Sequence, residues 1–169
     1  VVEPSGDPSQ SQQEQSIMKS DKTLAASGQI RSDAPVTASA ELVIPAPQEK
    51  IWELITEFQC WPMWMEDVSQ LEITGEVEPG TEFIWKANGL TITSQLQLVE
   101  PHTRLAWTGK ALGTRAIHVW EFEALDEQST LVRTRESMDG WFMKWFFSSK
   151  KLAQTLQQGL RELKLAACD

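Results

Sequence analysis

The sequence contains no tyrosine, two histidines and two cysteines in 169 residues. His102 sits in the turn "EPHT", so no Ser/His/Asp nucleophile–base set is suggested. Cys60 and Cys168 lie far apart, in no metal-ligand spacing. They read as free thiols, which fits a reducing, cytoplasmic compartment. A glycine-rich phosphate loop and a dinucleotide fingerprint are both missing, so no cofactor and no metal are implied. No apolar run approaches the ~18 residues of a bilayer span, which argues against an integral membrane segment. Basic residues are scarce, 15 Lys and Arg against 24 Asp and Glu. The net charge of −9 argues against a nucleic-acid partner, because phosphate binding needs a basic surface.

What the chain has instead is tryptophan, eight copies beside six phenylalanines. The densest stretch is "CWPMWMEDV", Cys60 to Val68, with Trp61 and Trp64 around Pro62. Proline lacks the N–H a helix interior needs, so this stretch must be a turn between helices. Its aromatic load is too heavy for a solvated loop. The length suits one domain with a real core.

Residues 1–34 are rich in Pro, Ser and Gln and offer little to bury, which predicts a disordered segment whose removal leaves stability unchanged. Met18 is a candidate start, which would make residues 1–17 an upstream extension. Residues 35–169 form the single folded domain. "VTASAELVI" alternates apolar and small residues, as a strand does. "PAP" at 45–47 ends it and opens a helix carrying Ile51, Trp52, Leu54, Ile55 and Phe58 at helical spacing. A second short helix is expected over Met63 to Val68. Asn88-Gly89 then joins "TEFIWKA" to "LTITSQLQLV", a strong two-residue hairpin signal that sets Trp85 opposite Ile92 and Phe83 opposite Ser94. Further strands run to Met138. From Gly140 onward a single long helix is expected, with Trp141, Trp145, Leu152, Leu156, Leu160 and Leu163 as its stripe. Gly159 inside it reads as a point of close approach to the sheet.

One strand, a helix pair, six antiparallel strands and a long final helix is the order of the helix-grip fold. The stretches "VIPAPQEKIWELITEFQCWPMWMEDV", "GTEFIWKANGLTITSQLQLVEPHTRLAWTG", "HVWEF" and "TLVRTRES" resemble the START-related polyketide cyclase/dehydrase and lipid-transport superfamily. The resemblance covers about Pro35 to Ala167. It implies an α+β fold in which a curved antiparallel seven-stranded sheet wraps around the C-terminal helix, with an apolar cavity between them. The fold hosts carriers, cyclases and hydrolases, so it does not select among them. The Trp61/Trp64 turn would close one end of the cavity or simply pack helix on sheet.

Strand parity directs Phe83, Trp85, Ile92, Ser94, Leu96 and Trp107 toward that cavity, followed by His118, Trp120, Thr134 and Glu136. Trp64, Trp141 and Trp145 would complete its walls. A three-residue loop at 126–128 sets His118 opposite Glu136, close enough to hydrogen-bond. A buried carboxyl beside an imidazole serves as a general base, as an anchor for a ligand oxygen, or as a structural pair. Arg133 and Arg135 fall on the other face, toward solvent, within reach of Glu121 and Glu123. The expected partner is a small hydrophobic ligand, with a cyclase/dehydratase-type enzyme using Glu136 or His118 as the alternative and an interaction module with a filled core as the next. The aromatic run "WFMKWFF" at 141–147 either meets the "CWPMWM" turn or forms a patch for a homodimer or a transient partner.

Overall fold

Strand parity and turn chemistry account for most of the architecture. The computed structural model describes residues 8–140 and 147–168. Its elements are α1 (Pro8–Ala26), β1 (Val36–Ile44), α2 (Gln48–Thr56), a 3-10 turn (Phe58–Cys60), α3 (Trp61–Trp64), β2 (Val68–Ile73), β3 (Glu82–Ala87), β4 (Leu90–Glu100), β5 (Arg104–Ala111), β6 (Thr114–Asp126), β7 (Ser129–Gly140) and α4 (Ser149–Cys168). The seven strands form one antiparallel sheet in the order β1-β7-β6-β5-β4-β3-β2. At the β3–β4 turn Asn88 and Gly89 take φ of 50° and 77°, the left-handed pair a tight hairpin needs. The pairings Trp85–Ile92 and Phe83–Ser94 follow as predicted.

Bulges between Leu96 and Leu98 and between Ala124 and Asp126 bend the sheet toward its concave face. The second corrects the expected β6–β7 turn. Asp126 pairs with Ser129 across a two-residue turn, and the bulge at Leu125 absorbs the extra residue. Beyond it the register is unchanged, and His118 pairs with Glu136.

Pro62 lies in the first turn of α3, where its missing N–H costs nothing, so the helix starts at Trp61 and Val68 already opens β2. The expected helix over Met63 to Val68 is therefore displaced. The buried Trp61 indole donates to the Ile55 carbonyl at 3.0 Å, satisfying an acceptor in the last turn of α2.

The long final helix is also shorter than expected. Gly140 is the last residue of β7, paired with Thr114, and a Cβ there would lie 3.1 Å from the Gly113 carbonyl oxygen. The helix begins at Ser149, with the Ser148 hydroxyl accepting from the Lys151 N–H at 3.2 Å. Trp141, Trp145 and the proposed patch up to residue 146 lie outside the described residues. Phe147 packs near Val36, Leu152 and Leu156.

The expectation of a disordered segment over 1–34 is overturned for residues 8–34. Ala25 is fully buried, and it packs with Leu24 and Ile30 against Leu98, Ala106, Ile117 and Val119 on the convex face. Asp21 pairs with Arg31 and Arg115, and Arg115 also pairs with Asp139. Arg135 donates to the Gly28 carbonyl and to Glu121, both at 3.0 Å, so this segment covers it on the face expected to be open. Arg133 reaches Glu123 and Glu41 as a surface cluster. The segment owes its order to apolar strand residues on the convex face, which a tally of its own composition does not include.

Candidate functional site

A cavity of about 130 Å³ lies between the concave face and α4. Its walls are aromatic: Trp61 from α3, Trp85 from β3, Trp107 from β5, and His118 and Trp120 from β6. Glu136 of β7 faces it from the same side, and Thr155, Leu156, Gly159 and Glu162 face it from α4. Asp67 and the exposed Asn88 line an end that opens to solvent. The rings are set as panels. Trp61 stands at 88° to Trp85 and 47° to Trp107, each with centroids 5.7 Å away, while His118 lies nearly parallel to Trp120 at 5.3 Å.

A second cavity of about 80 Å³ shares Trp85, Trp107 and Glu136 with the first and adds Ile92, Ser94, Gly109 and Met138. Glycine at 109 keeps this floor low. A Cβ there would press to 3.2 Å from the Ser94 hydroxyl, which itself accepts from the Trp85 indole at 3.1 Å. Gly159 plays a different part from the one expected. A Cβ there would meet nothing within 4 Å, so this glycine leaves room in the cavity instead of drawing the helix onto the sheet.

His118 and Glu136 are adjacent but not hydrogen-bonded. Nδ1 of His118 is 3.7 Å from Oε2 of Glu136, while Nε2 meets the Thr134 hydroxyl at 2.7 Å. The expected direct bond is thus replaced by one to the buried Thr134. Burial drives the His118 imidazole down to about 3 and the Glu136 carboxyl up to about 8. At neutral pH both are uncharged, and Glu136 holds a proton it can donate. The indole N–H of Trp120 is buried without a partner.

The sequence matches the family described as polyketide cyclase / dehydrase and lipid transport over residues 35–167. The chain belongs to that family. A hypothetical protein from Helicobacter pylori shares the fold at a TM-score of 0.72 and 19% identity, covering 80% of this chain and 90% of its own. A START superfamily protein from Mycobacterium smegmatis aligns at a TM-score of 0.64 and 14% identity, over 78% of this chain and 96% of its own. The Zhui aromatase/cyclase from a Streptomyces species aligns at 0.61 and 14% identity, over 78% and 92%. At these identities the likeness is one of fold. No curated protein matches the sequence.

In this polyketide cyclase / dehydrase family member, Trp85, Trp107, Trp120, His118 and Glu136 meet around the first cavity, and Ile92 and Ser94 line the second. Phe83 and Leu96 instead lie in the solid core beside them, and Thr134 serves His118 from within the sheet. Trp64 packs half-buried on that core without lining either cavity, and its own indole N–H has no partner. Sequence reading missed Asp67, Asn88, Gly109 and the polar flank of α4. Thr155, Gly159 and Glu162 recur at helical spacing beside the leucine stripe, which was the available signal. Among the described residues no group of His, Cys, Asp or Glu is arranged to hold a metal ion, and no helix is long and apolar enough to cross a membrane.

Proposed function

We propose that the protein binds a small, ring-sized apolar ligand carrying an oxygen, held in the tryptophan-walled cavity. One observation carries this reading: the aromatic cavity is lined by Trp120, whose buried N–H lacks a hydrogen-bond partner, and by the protonated Glu136 carboxyl. Buried polar groups are rarely left unpaired, so a ligand oxygen between them would complete the site. Size narrows the choice. An apolar cavity of ~150 Å³ holds benzene, whereas drug-sized ligands occupy ~300–1,000 Å³. A space of about 130 Å³ with a side chamber of about 80 Å³ suits one ring or a small fused pair, not a long acyl chain. Titration with cresols and indanones should shift tryptophan fluorescence and raise the melting temperature, and Trp85→Ala should weaken both responses. A flat response across neutral and charged ring compounds would refute the carrier reading.

A second reading is favoured by the pairing of a protonated Glu136 with an unprotonated His118 at 3.7 Å. Such a pair would deliver a proton to a carbonyl oxygen and receive one from the adjacent carbon, the chemistry of enolisation and dehydration. Hydrogen exchange at carbon next to an indanone carbonyl, followed by NMR, separates catalysis from binding. Exchange lost in Glu136→Gln with binding retained supports turnover, and no exchange above the solvent rate in the wild type removes it.

A further inference from the structure

The electrostatic character of the cavity points past an apolar ligand toward a charged one. Three carboxyl-bearing side chains line it, Glu136 on the sheet, Glu162 on α4 and Asp67 at the open end, and no lysine or arginine does. Lys110 and Arg115 reach the side chamber beyond Glu136, where Arg115 is already matched by Asp21 and Asp139. An anionic ligand would therefore meet no lysine or arginine in the main cavity. Its walls are tryptophans, and the aromatic ring face is the negative pole of its quadrupole. Trp61 and Trp85 stand at right angles, and Trp107 closes a further side at 5.7 Å from Trp61. Panels of indole turned about one small space form the arrangement in which quaternary ammonium groups are held, shielded from water and balanced by nearby carboxyls. The chain's net charge of −9 adds long-range attraction for a cation.

We infer that the ligand of this cavity is an organic cation, an alkylated ammonium on a small apolar or aromatic skeleton, with Trp61, Trp85 and Trp107 around the nitrogen and Asp67 and Glu162 as its counter-charges. The inference rests on the reading of this cavity as a ligand site and adds the sign of the ligand's charge. The oxygen that Trp120 calls for and the nitrogen belong to the same small molecule.

The test compares phenyltrimethylammonium with tert-butylbenzene, which has the same shape and no charge, by tryptophan fluorescence at low salt. The cation should bind at least tenfold more tightly, and phenylacetate should not bind. In an Asp67→Asn, Glu162→Gln double variant, tert-butylbenzene should bind as before, while the preference for the cation drops at least threefold. Equal or tighter binding of tert-butylbenzene by the wild type would overturn the cation and leave the apolar pocket standing. A cation preference unchanged in the double variant would overturn the assignment of its counter-charges. If neither compound binds, and cresols and indanones also fail, the cavity is no ligand site and both readings fall together.

Discussion

Glu136 and His118 depart from their ordinary ionisation in opposite directions, and the two departures have opposite signs in stability. Glu136 ordinarily loses its proton near 4.5 but in the fold keeps it to about 8, so the folded state holds an extra proton between those values and loses stability as pH rises through them. His118 ordinarily takes a proton near 6.5 but in the fold not until about 3, so stability falls as pH drops below 6.5. Between 4.5 and 6.5 the slopes cancel. From 6.5 to 8 the Glu136 slope stands alone, at up to ~1.4 kcal/mol per pH unit. Urea unfolding should show the wild type losing up to about 2 kcal/mol over that interval, and Glu136→Gln should flatten the decline. An unchanged decline in the variant would place its source elsewhere. Gly159 supplies a second residue-scale outcome. Because its Cβ would enter open space, Gly159→Ala should raise stability by up to ~1 kcal/mol through helix propensity while lowering ligand affinity. Thermal unfolding with and without an indanone would separate the two effects, and a destabilised variant would show that the space is not open.

The same contrast between one residue and its surroundings recurs in whole elements. The β3–β4 and β6–β7 hairpins were legible because Asn88-Gly89 and the alternation around His118 and Glu136 each state a register locally. The α1 segment was not, because its order depends on Ala106, Ile117 and Val119, apolar residues on the phase opposite to Trp107, His118 and Trp120. A strand apolar on both phases is covered on both faces, and β6 carried that sign in its sequence. Gly140 was misread for a related reason. Its role is set by the neighbouring Gly113 backbone, and nothing in the "DGWF" sequence reports that approach. Removing residues 1–34 should therefore expose Ile117 and Val119, leave Arg115 without Asp21, and cost roughly 3 kcal/mol by burial of Leu24, Ala25 and Ile30. Calorimetry should register a fall of several degrees in melting temperature. An unchanged melting temperature would return the segment to the dispensable status its composition suggests.

At the scale of the whole molecule, β1 and β2 follow each other in the chain yet form opposite edges of the sheet. The stretch between them, residues 45–67, passes beneath the full width of the arc with α2, the 3-10 turn and α3 strung along it. It behaves as the string of a bow whose limbs are the two edge strands, and Trp61 is the knot that fixes its length by tying α3 back to Ile55. The width of the cavity is then a property of this string as much as of the residues that face it. Shortening the string would draw the limbs together and squeeze the tryptophan walls shut, whereas lengthening it would let the arc relax and admit larger rings. Ligand size in such a fold is adjustable without altering the wall residues of the sheet, through the length of a segment that itself brings Trp61 and Asp67 to the cavity.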